Sequence, residues 1–116
     1  MKYKFWFEEM NFPNCQKSLI IRLSEEMLPV QIFLCSDVQG HGVWELETID
    51  KVLSGQSEYE NFTGNACYVE VRQDKTKIEY MFTNNDKEES CEIETSELRE
   101  LIEVWLKERE AFYKKK

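Results

Sequence analysis

The chain carries one histidine, four cysteines and 23 carboxylates, the groups in which nucleophilic or acid–base chemistry is sought first. His41 lies between Gly40 and Gly42, a setting that reads as an exposed loop. A Cys35–His41 pair is the sharper alternative, because a nucleophilic thiol needs a base beside it. The flanks of these two residues match no nucleophile motif. No GxSxG elbow is present, and Gly40-His41-Gly42 lacks the GxxxxGK pattern of a phosphate loop. Cys15, Cys35, Cys67 and Cys91 are far apart, without the CxxC spacing that zinc sites use. They read as free thiols of a reducing compartment, with Cys35, Cys67 and Cys91 as small core residues. No metal and no cofactor is expected. Paired carboxylates can act as general acid and base. Such pairs arise easily among 23 acids, so a small acidic hydrolase stands only as an alternative. The densest acidic run holds Asp86, Glu88, Glu89, Glu92 and Glu94 but lacks the EF-hand spacing and its glycine. It reads as a solvated surface, or as a contact surface for a basic partner.

These side chains need a scaffold, and the hydrophobic pattern supplies one. Positions 2–8 alternate, with Tyr3, Phe5 and Phe7 on one face, as in a half-buried strand. Residues 15–28 are ambiguous: a strand over Ser18–Ser24 competes with a helix starting after Asn14, and alternation favours the strand. Val30, Ile32 and Leu34 line one face of an expected third strand. A loop from Ser36 to Val43 follows, then a helix over Trp44–Ser54 whose stripe is Leu46, Ile49, Val52 and Leu53. Gly55 stands where a left-handed C-cap belongs. After a lead-in, Gly64-Asn65 is expected as a tight turn tolerant of positive φ. It feeds a strand that points Cys67, Val69 and Val71 inward. Gln73–Thr76 turns the chain into a partner strand facing Ile78, Tyr80 and Phe82 inward. A polar loop, a short strand around residues 91–94, and a long helix close the chain. That helix is capped by Thr95 or Ser96 and carries the stripe Leu98, Leu101, Ile102, Trp105 and Phe112. Trp6 and Tyr68 fall on outer strand faces, where cover by a helix is expected. The sum is one domain, residues 1–116, of α+β class: a largely antiparallel sheet of about six strands packed by two helices, the longer one C-terminal.

Charge narrows the partners. The formal net charge is -8, and it is uneven: residues 1–97 hold 19 acids and 9 bases, residues 98–116 hold 4 acids and 6 bases. An acidic body repels phosphate, so nucleic acid and anionic membrane surfaces are disfavoured, whereas a basic protein is steered toward it. The longest apolar run, residues 30–35, is far short of the roughly 20 residues of a membrane span. The N-terminus lacks the apolar h-region of a secretory signal, so a cytoplasmic location is expected.

A series of features in the second half carries a family likeness. In order they are Trp44, the amphipathic helix to Leu53, Ser54-Gly55, and the acid-and-aromatic run through Phe62. Gly64-Asn65-Ala66-Cys67-Tyr68-Val69-Glu70-Val71 follows, then Asp74-Lys75-Thr76-Lys77-Ile78, Cys91-Glu92-Ile93-Glu94-Thr95 and a helix containing Trp105. Over residues 44–106 this resembles the small immunity proteins of bacterial contact-dependent growth inhibition and related polymorphic toxin systems. The resemblance implies a cytoplasmic, non-enzymatic inhibitor that binds a toxin domain, often a nuclease, delivered by a neighbouring cell. It carries over no binding residues. Charge and loop placement select Asp37, Glu45, Glu47, Glu58, Tyr59 and Glu60, expected to cluster around the loops flanking the first helix. Asp86, Glu88 and Glu89 form a second set. A housekeeping adaptor without a toxin partner is the remaining alternative.

Overall fold

The computed structural model of the chain describes residues 2–11, 13, 17–38, 42–82 and 89–114. Phe5–Asn11 (β1) and Lys17–Leu23 (β2) pair antiparallel, Phe5 opposite Leu23 and Asn11 opposite Lys17. Alternation turns Phe5, Phe7, Leu19, Ile21 and Leu23 of this ribbon onto the core, so the strand reading of residues 17–23 holds over the helical one.

After a 3₁₀ turn at Glu25–Met27, the chain enters a short helix, Leu28–Ile32 (α1), continued by a π-helical turn at Phe33–Asp37. The strand expected over Val30, Ile32 and Leu34 is therefore absent. The buried positions are Val30, Phe33, Leu34 and Val38, a helical spacing. A short apolar run does not separate a buried helix from a buried strand. Pro29, with φ preset for a first helical turn, decides it. The expected loop from Ser36 thus begins inside this turn, and His41 lies outside the described residues.

Val43–Leu53 (α2) matches the expected helix, and Gly55 takes the left-handed conformation after it, with φ 83. Four strands then form an antiparallel meander: Tyr59–Thr63 (β3), Cys67–Arg72 (β4), Lys75–Tyr80 (β5) and Glu89–Glu94 (β6). β3 is a strand where a mere lead-in was expected. It is polar because it is an edge strand, with only Phe62 packed against the core. β5 ends at Tyr80, so Phe82 is not an inward residue but 62% exposed. Thr95–Lys114 (α3) buries Leu98, Leu101, Ile102 and Trp105. The class is α+β with six antiparallel strands, divided into a two-stranded ribbon and a four-stranded sheet, and the longest helix is C-terminal. Among the described residues no helix is long and apolar enough to cross a membrane.

One core joins these parts. Cys67, Val69 and Val71 of β4, Ile78 of β5 and Ile93 of β6 meet the buried faces of all three helices. The opposite sheet face, with half-buried Tyr68, lies away from the helices. Trp6 likewise lacks the expected cover: it is 46% exposed and its indole N–H donates to Glu8 Oε2 at 2.9 Å. Thr95 does not use its hydroxyl along its own helix. That hydroxyl donates to the Arg72 carbonyl and shares a 2.8 Å bond with Thr76, tying the start of α3 to the β4–β5 hairpin. Cys67 is buried, and Cys35 and Cys91 pack at the core margin. Burial pushes the Cys67 thiol up to about 12 and that of Cys91 to about 11, so neither is a thiolate near neutrality. Cys15 lies outside the described residues.

The N-terminal segment is fastened to β6 by Glu94, which accepts bonds from Lys2 Nζ and the Tyr3 hydroxyl. These partners, Lys2 first, hold the Glu94 carboxyl down at about 2, from an ordinary 4.5. A depressed carboxylate contributes stability above its unfolded value and loses it as pH falls through the folded one. The contribution of this contact is therefore expected to fade between about pH 4.5 and about pH 2. Lys2 is exposed and Glu94 is half-buried, so solvent screens the contact and the effect is small. Thermal melts of wild type and Glu94→Gln should converge as pH falls through that window; a gap that stays constant down to its acid end would refute the assignment.

Candidate partner-binding surface

The candidate contact residues are positioned by α2 and the edge strand β3 beside it. The two are joined by a bond from the Ser57 amide to the Lys51 carbonyl at 2.9 Å. At the other end the Trp44 ring meets the Phe62 ring edge-on, with centroids 5.0 Å apart. The helical repeat sorts the side chains of α2. Leu46, Ile49, Val52 and Leu53 face the core, and Trp44, Glu47 and Lys51 share the opposite, exposed flank. That phase puts Glu45 on the buried side, where its Oε2 is buried. Its place in the first turn suits the helix dipole. Glu47 borders a shallow groove of about 350 Å³ with Asp50, Lys51, Ser54 and Gln56. Asp50 itself accepts from Arg99 Nε at 2.5 Å and from Nη2 at 3.3 Å, which ties α2 to α3.

On β3 the period of two separates neighbours. Glu60 faces the helix side with Phe62 and accepts the Ser57 hydroxyl at 2.8 Å. Tyr59 faces the open side of the sheet. Its hydroxyl donates to Glu70 Oε2 at 2.8 Å, and its ring lies under the Arg72 guanidinium at 4.8 Å. Glu58 is exposed just ahead of the strand.

Asp37 lies elsewhere and has another task. It leaves the π-helical turn and accepts two backbone N–H bonds, from Ala66 at 2.9 Å and Cys67 at 3.1 Å. This clamps the turn between β3 and β4. Gly64 does not supply a positive φ there, which among the described glycines is found at Gly55 alone. It supplies space: a Cβ at Gly64 would collide with the Asp37 carboxylate.

Glu47, Glu58 and Glu60 thus lie along α2 and β3, Tyr59 turns to the open sheet face, Glu45 is half-buried, and Asp37 braces the β3–β4 turn. Of the second set, Asp86 and Glu88 lie outside the described residues. Glu89 starts β6, beside Glu25 and Glu26 at a recess of about 270 Å³. Among the described residues no three His, Cys, Asp or Glu side chains converge on a point that would hold a metal ion.

Two features were not among the expected contact residues. Val43 and Trp44 are 65% and 54% exposed, the apolar part of this surface. The phase of Trp44, opposite the Leu46–Ile49–Val52 stripe, is the signal that would have found it, whereas Val43 falls in line with that stripe and is exposed because it stands at the helix start. Val43 also borders a groove of about 490 Å³ between the start of α2 and the end of α3, where Arg109, Tyr113 and Lys114 line the far side. Arg109 stacks on Tyr113 at 4.8 Å and Lys114 pairs with Glu110 at 3.1 Å. Val43 therefore borders the basic end of the chain, whereas Glu47, Glu58 and Glu60 lie along α2 and β3.

Over all 116 residues the chain is 36% identical to a Bacillus cereus protein named "Immunity protein", and it covers 96% of that protein's length. No family model matches the chain, and no solved structure matches it.

Proposed function

The chain belongs to the family of that Bacillus cereus immunity protein, and from this premise we propose that it binds and neutralises a toxin domain, acting as a stoichiometric inhibitor in the cytoplasm. The full-length relationship carries this reading. The proposed setting is a contact-dependent or polymorphic toxin system, with the toxin encoded beside its inhibitor.

Electrostatics indicates which kind of toxin and which face. A net charge of -8 favours a cationic partner. A nuclease is the proposed class, because a cleft built for phosphate must be cationic. The basic end of α3, with Lys107, Arg109 and Lys114, repels such a partner and turns it toward the α2–β3 flank. There Glu47 and Glu58 are exposed. Inhibition by occlusion needs binding alone, so no residue of this surface is given a catalytic role.

The test is a Glu47→Lys, Glu58→Lys double variant, measured against the inactivated toxin domain encoded next to the chain. Both residues are exposed, so the variant is expected to unfold like wild type. Its affinity should fall by about tenfold or more at low salt, mainly through slower association, and the gap should shrink at high salt. Unchanged affinity would remove this face from the interface. Equal killing by the toxin with and without the wild-type chain would end the reading itself.

A further inference from the structure

We infer that Trp44 is the apolar anchor of this interface, inserted into an apolar recess of the partner that is rimmed by lysine and arginine. The inference rests on the toxin-binding reading and adds to it the chemistry of the partner's surface. Three observations carry it. The first is contrast: Trp105 is 1% exposed and Trp44 is 54% exposed, so these two tryptophans of the chain have opposite roles. The second is order. The edge-on contact with Phe62 at 5.0 Å holds the Trp44 indole, and Phe62 is itself backed by Phe33 at 6.1 Å. A large ring held in place before binding loses little conformational entropy on contact, which suits an anchor. The third is charge. Glu47 and Lys51 share the exposed flank of α2 with Trp44, and with Glu58 and Glu60 on the β3 side the carboxylates there outnumber the lysine. An apolar centre with a charged rim is the usual anatomy of a strong contact. A cationic partner satisfies the rim, and only an apolar recess satisfies the centre.

The rim and the anchor respond differently to salt, which separates their tests. The probe is again the inactivated neighbouring toxin domain. Trp44→Ala is expected to weaken binding about tenfold or more, mainly through faster dissociation, with the loss persisting at high salt. A Trp6→Phe background supplies a second readout: it leaves Trp44 as the tryptophan open to iodide, and the complex should protect it from quenching. If Trp44→Ala binds within about twofold of wild type while the charge-reversed double variant is impaired, the anchor falls and the toxin-binding reading stands. The same holds if Trp44 stays open to iodide in the complex. If neither set of variants changes binding, both the anchor and the chosen face fall.

Discussion

Replacing Trp105 by alanine is expected to cost about 3–5 kcal/mol of folding free energy, the range for deleting a large buried aromatic side chain. Three contacts converge there. Trp105 is 1% exposed, its ring stacks on Phe7 with the planes 10° apart, and its indole N–H donates to the Val38 carbonyl at 2.8 Å. The residue thus ties α3 both to the β1–β2 ribbon and to the residue that ends the π-helical turn. Alanine opens a cavity and also leaves a buried carbonyl without its donor. Phenylalanine separates the two effects: it keeps most of the ring but not the N–H, so about 1–3 kcal/mol is expected. Most domains of this size have about 5–15 kcal/mol in total, which places Trp105→Ala near the edge of folding. Urea unfolding of both variants measures this. A cost below about 1 kcal/mol for alanine would show that the ribbon and the turn hold without Trp105.

Removing the Asp37 carboxylate is expected to cost about 2–4 kcal/mol, because two backbone N–H groups lose a charged acceptor. Asparagine should recover part of this through its amide oxygen. The sharper test is a cycle with Gly64. Gly64 has no left-handed backbone requirement, so alanine is tolerated there except for its clash with Asp37. Gly64→Ala alone should therefore destabilise by pushing the carboxylate off Ala66 and Cys67. In an Asp37→Ala background the same change should cost clearly less, with a remainder from the residue-37 Cβ that would still stand 3.0 Å from the added methyl. Additive costs in that cycle would mean that the glycine and the aspartate act independently. The cycle also bears on function. A loss of toxin binding in Asp37→Ala that follows its loss of stability is an effect on the β3–β4 turn, not on a contact.

Much of this architecture was legible in residue order, and the exceptions have physical causes. The β1–β2 ribbon, α2 with its Gly55 cap, β4, β6 and α3 follow from periodicity and turn chemistry, which act locally. Residues 30–34 fit a strand as well as a helix because so short an apolar run does not separate the two, and Pro29 is the local clue that favours the helix. β3 was missed because an edge strand half open to solvent has too few apolar residues to alternate. Phe82 was misplaced because β5 ends two residues before it, a boundary set by pairing with β6.

Of the surface, sequence alone determined the sign of the charge and its division between an acidic body and a basic end. It also determined the phase of α2, which turns Trp44 and Glu47 away from the core. Which carboxylates stand together was decided only by the tertiary structure. Asp37 and Gly64 are 27 positions apart in the chain, and nothing local reveals that one braces the turn the other forms. Tyr59 and Glu60 are adjacent in the chain and point to opposite faces, because strand pairing, not composition, sets the side on which each emerges.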